Sequence, residues 1–544
     1  MLGEKPVIFR SLSETYKKAE ALFGSLKFAV IILSLFALAL FYGTFMESYH
    51  GTDYANRLVY KSLPFMLLQA AMFLSILAAT LQRLPFRKAL AGFYVLHLGL
   101  LLLFLGSYIT YVAGIDGNLT LAPNSPASNV LLPVDQLTIQ FPEKKQELTL
   151  PLPYSAGPVD LQTTYEQIKL HQFLPFAEMQ TQFKDDPQAQ PSKMHSAQYF
   201  LYNDMVQQEL TLSLHPETDF TSSERLGPLS VHYLPQSLGS CFAKNSLEGY
   251  LFWNALTEEC LAADSAFTQV SKLAGKTQLK VQLGREKILF LPDLSPMPVL
   301  EKGQIDESSP WRMFSRKLFQ EQPHLFLFGE AVSFFDKETQ KWNLRELTKT
   351  QEVALPWMNF KLKLLQFSPK AYPVKVPVSI KPIQENGQLI KGQTRALEVE
   401  VENEKFWLTS SGPMSFRGEQ GKIIFDLHKK TLKLPFEITL DRFQMQTDPG
   451  TQNPASYESF ISLFQGNQGS QKHHVFMNNP LKHSAFTFYQ ASYFEAQENV
   501  YGSVLSVNYD PGRSWKYLGS LLLVLGSLWH FVLRRKFLQK VKPA

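Results

Sequence analysis

GFYVLHLGLLLLFLGSYITYV, residues 92–112, is the stretch on which the reading of this chain turns. Nearly every position is apolar, and the run matches the roughly 20 residues a helix needs to cross the hydrocarbon of a bilayer. Three more stretches are of the same kind, at 28–45, 63–81 and 517–533. The first is no cleavable signal peptide, because its apolar run is too long and no small-x-small site closes it. The sequence therefore predicts an integral membrane protein with four transmembrane α-helices. A large mainly-β extracytoplasmic domain is inserted between helices 3 and 4.

Lysine and arginine set the orientation. Lys5, Arg10, Lys17, Lys18 and Lys27 precede the first span, Arg83, Arg87 and Lys88 fill the second loop, and Arg534, Arg535, Lys536, Lys540 and Lys542 close the chain. All three groups are cytoplasmic at once if both termini lie inside. The expected organisation is a cytoplasmic amphipathic segment at 1–27, transmembrane helices 1–3 at 28–112, the extracytoplasmic domain at 113–514, helix 4 at 515–533 and a basic cytoplasmic tail at 534–544. The formal net charge of +5 comes largely from these flanks, so it reads as topology and not as affinity for nucleic acid. Positions 8–26 place apolar residues at helical spacing with lysines opposite, as in a helix lying on the membrane surface or an ordinary flank before a span.

Between the third and fourth spans, period-two alternation recurs at 136–141, 281–283, 396–401, 422–427, 437–440 and 504–509. Such segments, bounded by Gly, Pro and Asn, predict half-buried antiparallel strands. The stretch 264–273 reads as a helix. Ile168-Lys-Leu-His-Gln-Phe173, Phe360-Lys-Leu-Lys-Leu-Leu-Gln-Phe367 and Ile438-Thr-Leu-Asp-Arg-Phe443 echo one another, through related β modules or through chance similarity of strand–turn units. Cys241 and Cys260 are the only cysteines, both in the exported part. An oxidising compartment favours a structural disulfide between them over free thiols, and their spacing is not that of a C-x-x-C redox pair.

His97 is the ionisable group inside the third span. Burying it in hydrocarbon costs several kcal/mol unless something engages it, so it marks a functional site by default. Neutral imidazole is an axial ligand for haem iron; the alternative is a histidine hydrogen-bonded to a neighbouring helix. Gly92, Gly99 and Gly106 repeat every seven residues and form a stripe that admits a close partner helix, with Gly519 and Gly526 matching in the fourth span. At about 100° per residue, His97 points away from that stripe. His530 reads as an interfacial residue at the inner end of the fourth span, and Glu47 and His50 as boundary residues at the outer end of the first. His473, His474 and His483 lack cysteine or carboxylate companions at ligand spacing. The nucleophile elbow, P-loop, H-E-x-x-H and C-x-x-C-H patterns do not occur.

Read together, these features resemble the ResB family, membrane components of System II cytochrome c biogenesis. The resemblance lies in Gly43-Thr44-Phe45 with Glu47, Tyr60-Lys61-Ser62, the Gly92, His97-Leu98-Gly99 and Gly106 span, and Gly117-Asn118-Leu119. At the far end it lies in Leu434-Pro435-Phe436, Pro454-Ala455-Ser456-Tyr457-Glu458-Ser459, Met477-Asn478-Asn479-Pro480-Leu481, Tyr489-Gln490-Ala491-Ser492-Tyr493 and Asp510-Pro511-Gly512. The middle, about 180–350, matches poorly. The resemblance implies a multi-pass protein of the bacterial cytoplasmic membrane that works beside a CcsA-type tryptophan-rich partner. It implies haem b as a transported or transferred substrate, His97 as one axial ligand to its iron, and an apocytochrome c whose C-x-x-C-H thiols receive it. The chain would then be a subunit of a haem lyase complex and not catalytic alone. The alternative is a scaffold that stabilises the partner and presents apocytochrome without touching haem.

Overall fold

The computed structural model describes residues 18–533 except 245–249, 263–267, 274–275, 284–285, 291–297, 300–303, 307, 316–318, 321, 386–387, 420, 449, 451–453, 467 and 498–499. Most of the expected surface helix at 8–26 and all of the basic tail at 534–544 lie outside the described residues. The described part of the former, 18–23, is helical.

Three helices are long and apolar enough to cross a membrane. Helix α1 (Leu26–His50) starts at Ser25, whose hydroxyl accepts from the amide of Phe28 at 3.2 Å. Helix α2 (Leu63–Leu81) starts at Ser62, capped in the same way, with Pro64 in its first turn where no amide is needed. Helix α3 is Ala91–Ala113. The fourth apolar stretch forms α4 (Arg513–Leu528), which passes into a π-turn at Trp529–Leu533.

Helices α3 and α4 pack antiparallel along their glycines. A Cβ at Gly92 would lie 2.6 Å from the amide nitrogen of His530, and one at Gly99 would lie 2.7 Å from the carbonyl of Gly519. Only glycine permits backbones this close.

The two helices continue directly into two paired strands. β1 (Ile115–Leu121) follows α3, and the strand Val500–Tyr509 precedes α4; they pair antiparallel from Ile115↔Tyr509 to Leu121↔Ser503. Polar groups secure the joint. Thr110 Oγ1 donates to Asp510 Oδ1 at 2.6 Å, Lys516 Nζ lies 2.7 Å from Asp510, and Arg513 donates to Thr487 Oγ1 and Asn508 Oδ1.

The chain divides into two compact units, residues 1–178 with 377–544, and residues 179–376. In the first, β1 and its neighbour belong to a ten-stranded sheet. Two long strands, β2 (Pro126–Phe141) and β3 (Gly421–Thr447), run through it side by side. The segments 422–427 and 437–440, expected as separate strands, are one strand. Pro435 sits inside β3 where it passes from one core to another. Phe425 and Leu427 pack with Leu137, Ile139, Phe173 and Val399; Phe436 and Ile438 pack with Leu119, Val130, Phe488 and Leu505.

Buried charge ties the α1–α2 connection to this sheet. Arg57 Nη2 donates to Asp135 Oδ2 at 2.8 Å, and Nε to Asp53 at 3.0 Å. Arg395 joins from the far side, its Nε 3.1 Å from Asp135, and Tyr154 stacks on Arg57 at 4.6 Å. His50 binds the carbonyl of Pro382 at 2.6 Å, and Glu47 accepts from Thr52.

The second unit is β-rich with its own cores. Tyr199, Tyr233, Leu325 and Phe334 fill one, and Phe242, Trp253, Phe314 and Phe328 another. Cys241, in the short helix Gln236–Lys244, and Cys260, at the start of the strand Cys260–Ala262, form a disulfide with Cα atoms 6.2 Å apart, within the usual span. The segment 264–273, expected to be helical, is a strand over Thr268–Leu273; residues 264–267 lie outside the described residues. Its β-branched Thr268 and Val270 favour strand once Lys276–Leu283 offers a pairing edge.

Candidate functional site

His97 lies near the amino-terminal end of α3, one turn after Phe93. Its Nδ1 lies 3.0 Å from the carbonyl of Phe93, and since a carbonyl only accepts, Nδ1 carries the proton. That bond fixes the tautomer in which Nε2 holds the lone pair. A second hydrogen bond on the far nitrogen is the usual way a ligating histidine is oriented. Among the described residues Nε2 has no hydrogen-bond partner, and the residue is half-buried. The Phe93 ring stacks on the imidazole with centroids 3.7 Å apart. Gly92, Gly99 and Gly106 are buried against α4, so the expected separation of His97 from the glycine stripe holds.

His530 arrives on the π-turn after α4, its backbone resting on Gly92. Its Nδ1 is buried with no partner in the described residues. Wound turns of this kind recur at functional sites. Arg83 reaches the same aromatic ring as His97, its guanidinium carbon 4.6 Å from the Phe93 centroid. The start of α3 thus carries an imidazole and a guanidinium on one aromatic ring, Phe93, with the backbone of His530 against Gly92. An imidazole held this way, with its Nε2 lone pair open in apolar surroundings, has the chemistry of an axial ligand to an iron porphyrin.

The other marked histidines are partnered or dispersed. His474 binds Glu458 and stacks on Phe460 at 4.2 Å, His483 bonds Gln465 at 3.0 Å, and His473 lies next along the strand, on its other face. Among the described residues no group of three His, Cys, Asp or Glu side chains converges as a metal site. Glu47 and His50, at the end of α1, are engaged by Thr52 and the carbonyl of Pro382.

Sequence reasoning passed over Arg57 and Arg83. Arg57 is an arginine in a loop expected outside, against the positive-inside trend, with Asp53 four residues before it; that exception was the available signal. From sequence, Arg83 reads as a topology residue only.

Residues 417–501, from just before β3 to the start of the strand that leads back to the membrane, match the ResB-like family. Over 102 residues the chain is 35% identical to Protein NrfI of Wolinella succinogenes, which covers 19% of this chain and 11% of that protein. The alignment thus spans only a small part of the relative. These matches support the assignment of the chain to the ResB family that its sequence resembles.

Proposed function

We propose that this chain works in cytochrome c biogenesis as a membrane component that receives haem on the cytoplasmic side and helps deliver it outward. Delivery would end in covalent attachment to the C-x-x-C-H thiols of an apocytochrome c. The observation that carries this reading is His97, an imidazole in a membrane helix whose Nδ1 is tied to Phe93 and whose Nε2 is available. Its role is to bind and orient the iron from one side. A CcsA-type tryptophan-rich partner would supply the opposing ligand and the chemistry at the outer face. The cysteine thiols of the apocytochrome are the nucleophiles, so this chain contributes binding and position.

The arrangement of membrane helices and sheet supports the same reading. Helices α3 and α4 pack along their glycines, and in this reading both cross the membrane, with the basic segments on the cytoplasmic side and the β-rich part outside. Because α3 and α4 lead straight into paired strands, a change at the inner site has a short mechanical route to the exported sheet.

The scaffold alternative draws on one feature. The strand Gln468–Val475 is an edge of the ten-stranded sheet, where an extended polypeptide can add as a further strand. Haem content decides between the readings. The full chain purified with its partner should carry haem, and His97→Ala should lose most of it. Equal haem in both would leave the scaffold reading.

A further inference from the structure

We propose that Arg83 is the carboxylate-binding residue of the His97 site, holding a propionate of haem while His97 holds the iron. The assignment rests on the haem reading of His97 and adds the part of the site that recognises the porphyrin's charged edge.

Three contacts carry it. The guanidinium carbon of Arg83 lies 4.6 Å from the ring centroid of Phe93, and that same ring lies 3.7 Å from the ring of His97. Phe93 therefore bridges the cation and the imidazole, which stand two contacts apart. The carbonyl of Arg83 accepts from the hydroxyl of Tyr94 at 2.5 Å, which holds the end of α2 against the start of α3.

The guanidinium is also incompletely used. Its Nη1 donates to the carbonyl of Ala79 at 2.8 Å, which leaves most of its five N–H donors. Among the described residues it pairs with no carboxylate, whereas Arg57, Arg395 and Arg513 each do.

Haem makes opposite demands at its two ends: an imidazole in apolar surroundings for the iron, and a cation near water for the two carboxylates at one edge of the ring. His97 inside the helix and Arg83 at its exposed inner end satisfy them in that order. An arginine fork binds a carboxylate through two parallel N–H bonds, which a point charge on lysine does not reproduce. The competing explanation is an arginine that serves only membrane topology, a task lysine performs equally well.

The test uses the full chain purified in detergent with its partner, titrated with haem b and with haem dimethyl ester, which keeps the iron and blocks both carboxylates. Wild type should favour haem by about tenfold, the size of one charged hydrogen-bonded pair. Arg83→Ala should weaken haem binding by about tenfold and leave the ester unchanged, and Arg83→Lys should fall between. The unchanged ester titration also shows that the variant is folded. Equal weakening of both ligands, or no change for haem, overturns the assignment. His97→Gly is the separate control: if its binding and Soret band match wild type, the haem reading itself fails and the Arg83 assignment falls with it.

Discussion

Arg57 and Asp135 form a salt bridge of 2.8 Å with side chains 0% and 1% exposed, joining the connection between α1 and α2 to strand β2. Two charges so fully removed from water hold only while both are present. The geometry makes this pair the fastening between the membrane helices and the ten-stranded sheet.

Asp135→Ala is therefore expected to destabilise the first unit by about 3 kcal/mol, the low end for a broken buried pair, because buried Arg57 would keep only Asp53 and Arg395 would lose its 3.1 Å contact. Joint replacement of Arg57 and Asp135 by Met and Leu should cost far less. Protease resistance of the purified chain, compared across single and double variants, checks this. A single variant as resistant as wild type would show that the bridge fastens nothing.

The α3–α4 contact predicts a sharp size limit. A methyl at Gly99 or Gly519 meets main-chain atoms of the other helix at 2.7 Å, and backbone cannot move aside as a flexible side chain can. Gly99→Val and Gly519→Val should separate the helices and lower the yield of folded protein. Gly157→Ala, which has nothing within 4 Å, should match wild type. Cross-linking of a cysteine pair placed across the two helices reads the outcome.

The second unit should weaken in acid. Burial pushes His195 down to about 4, and burial together with the neighbouring His324 pushes His232 down to about 4. The unfolded chain protonates these rings below about 6.5, while the folded chain resists until about 4. Stability is thus complete above pH 6.5 and declines as pH falls toward 4. His195, fully buried, accounts for about 3 kcal/mol of that loss. Urea midpoints followed by tryptophan fluorescence report this, since Trp253, Trp311, Trp342 and Trp357 all lie in this unit. His195→Gln should flatten the slope, and a midpoint constant from pH 7 to pH 5 would contradict the account.

The disulfide closes a loop of 19 residues, which in the chain-entropy picture is worth about 3 kcal/mol to this unit. Reduction, or Cys241→Ser with Cys260→Ser, should lower the same urea midpoint and leave the α3–α4 cross-link intact.

Much of this architecture is written in hydrophobic pattern. The three membrane-length helices appear where period and length put them, and all six segments of period-two alternation lie in strands. The echo among 168–173, 360–367 and 438–443 has a physical counterpart. In each case the Leu-x-x-Phe segment carries one residue more than its partner strand, at Leu170–Phe173 against Leu397–Val399, at Leu364–Gln366 against Tyr199–Gln198, and at Leu440–Arg442 against Ile461–Phe460. The recurring letters mark a recurring β-bulge, with the leucine three places before the phenylalanine as its first member.

Other features were hidden because they depend on distant partners. Strand β3 looks like two strands because Pro435 interrupts the alternation, and only the change of core beneath it shows continuity. The strand Thr268–Leu273 is decided by pairing with Lys276–Leu283, which local composition at 264–273 does not reveal. Arg57 meets Asp135 across 78 positions of sequence. His97 was legible because an ionisable group in hydrocarbon violates a local rule. Arg83 obeys the local rule for its loop, so only its contact with Phe93 draws it into the site.

The central claim is that His97 binds haem iron through Nε2. The direct measurement is the visible absorption spectrum of the full chain purified with its partner, comparing wild type with His97→Gly, with and without added imidazole. The account predicts that the variant loses its haem band and regains it with imidazole, which occupies the vacated ligand position. A His97→Gly protein whose haem content and spectrum match wild type without imidazole would contradict it.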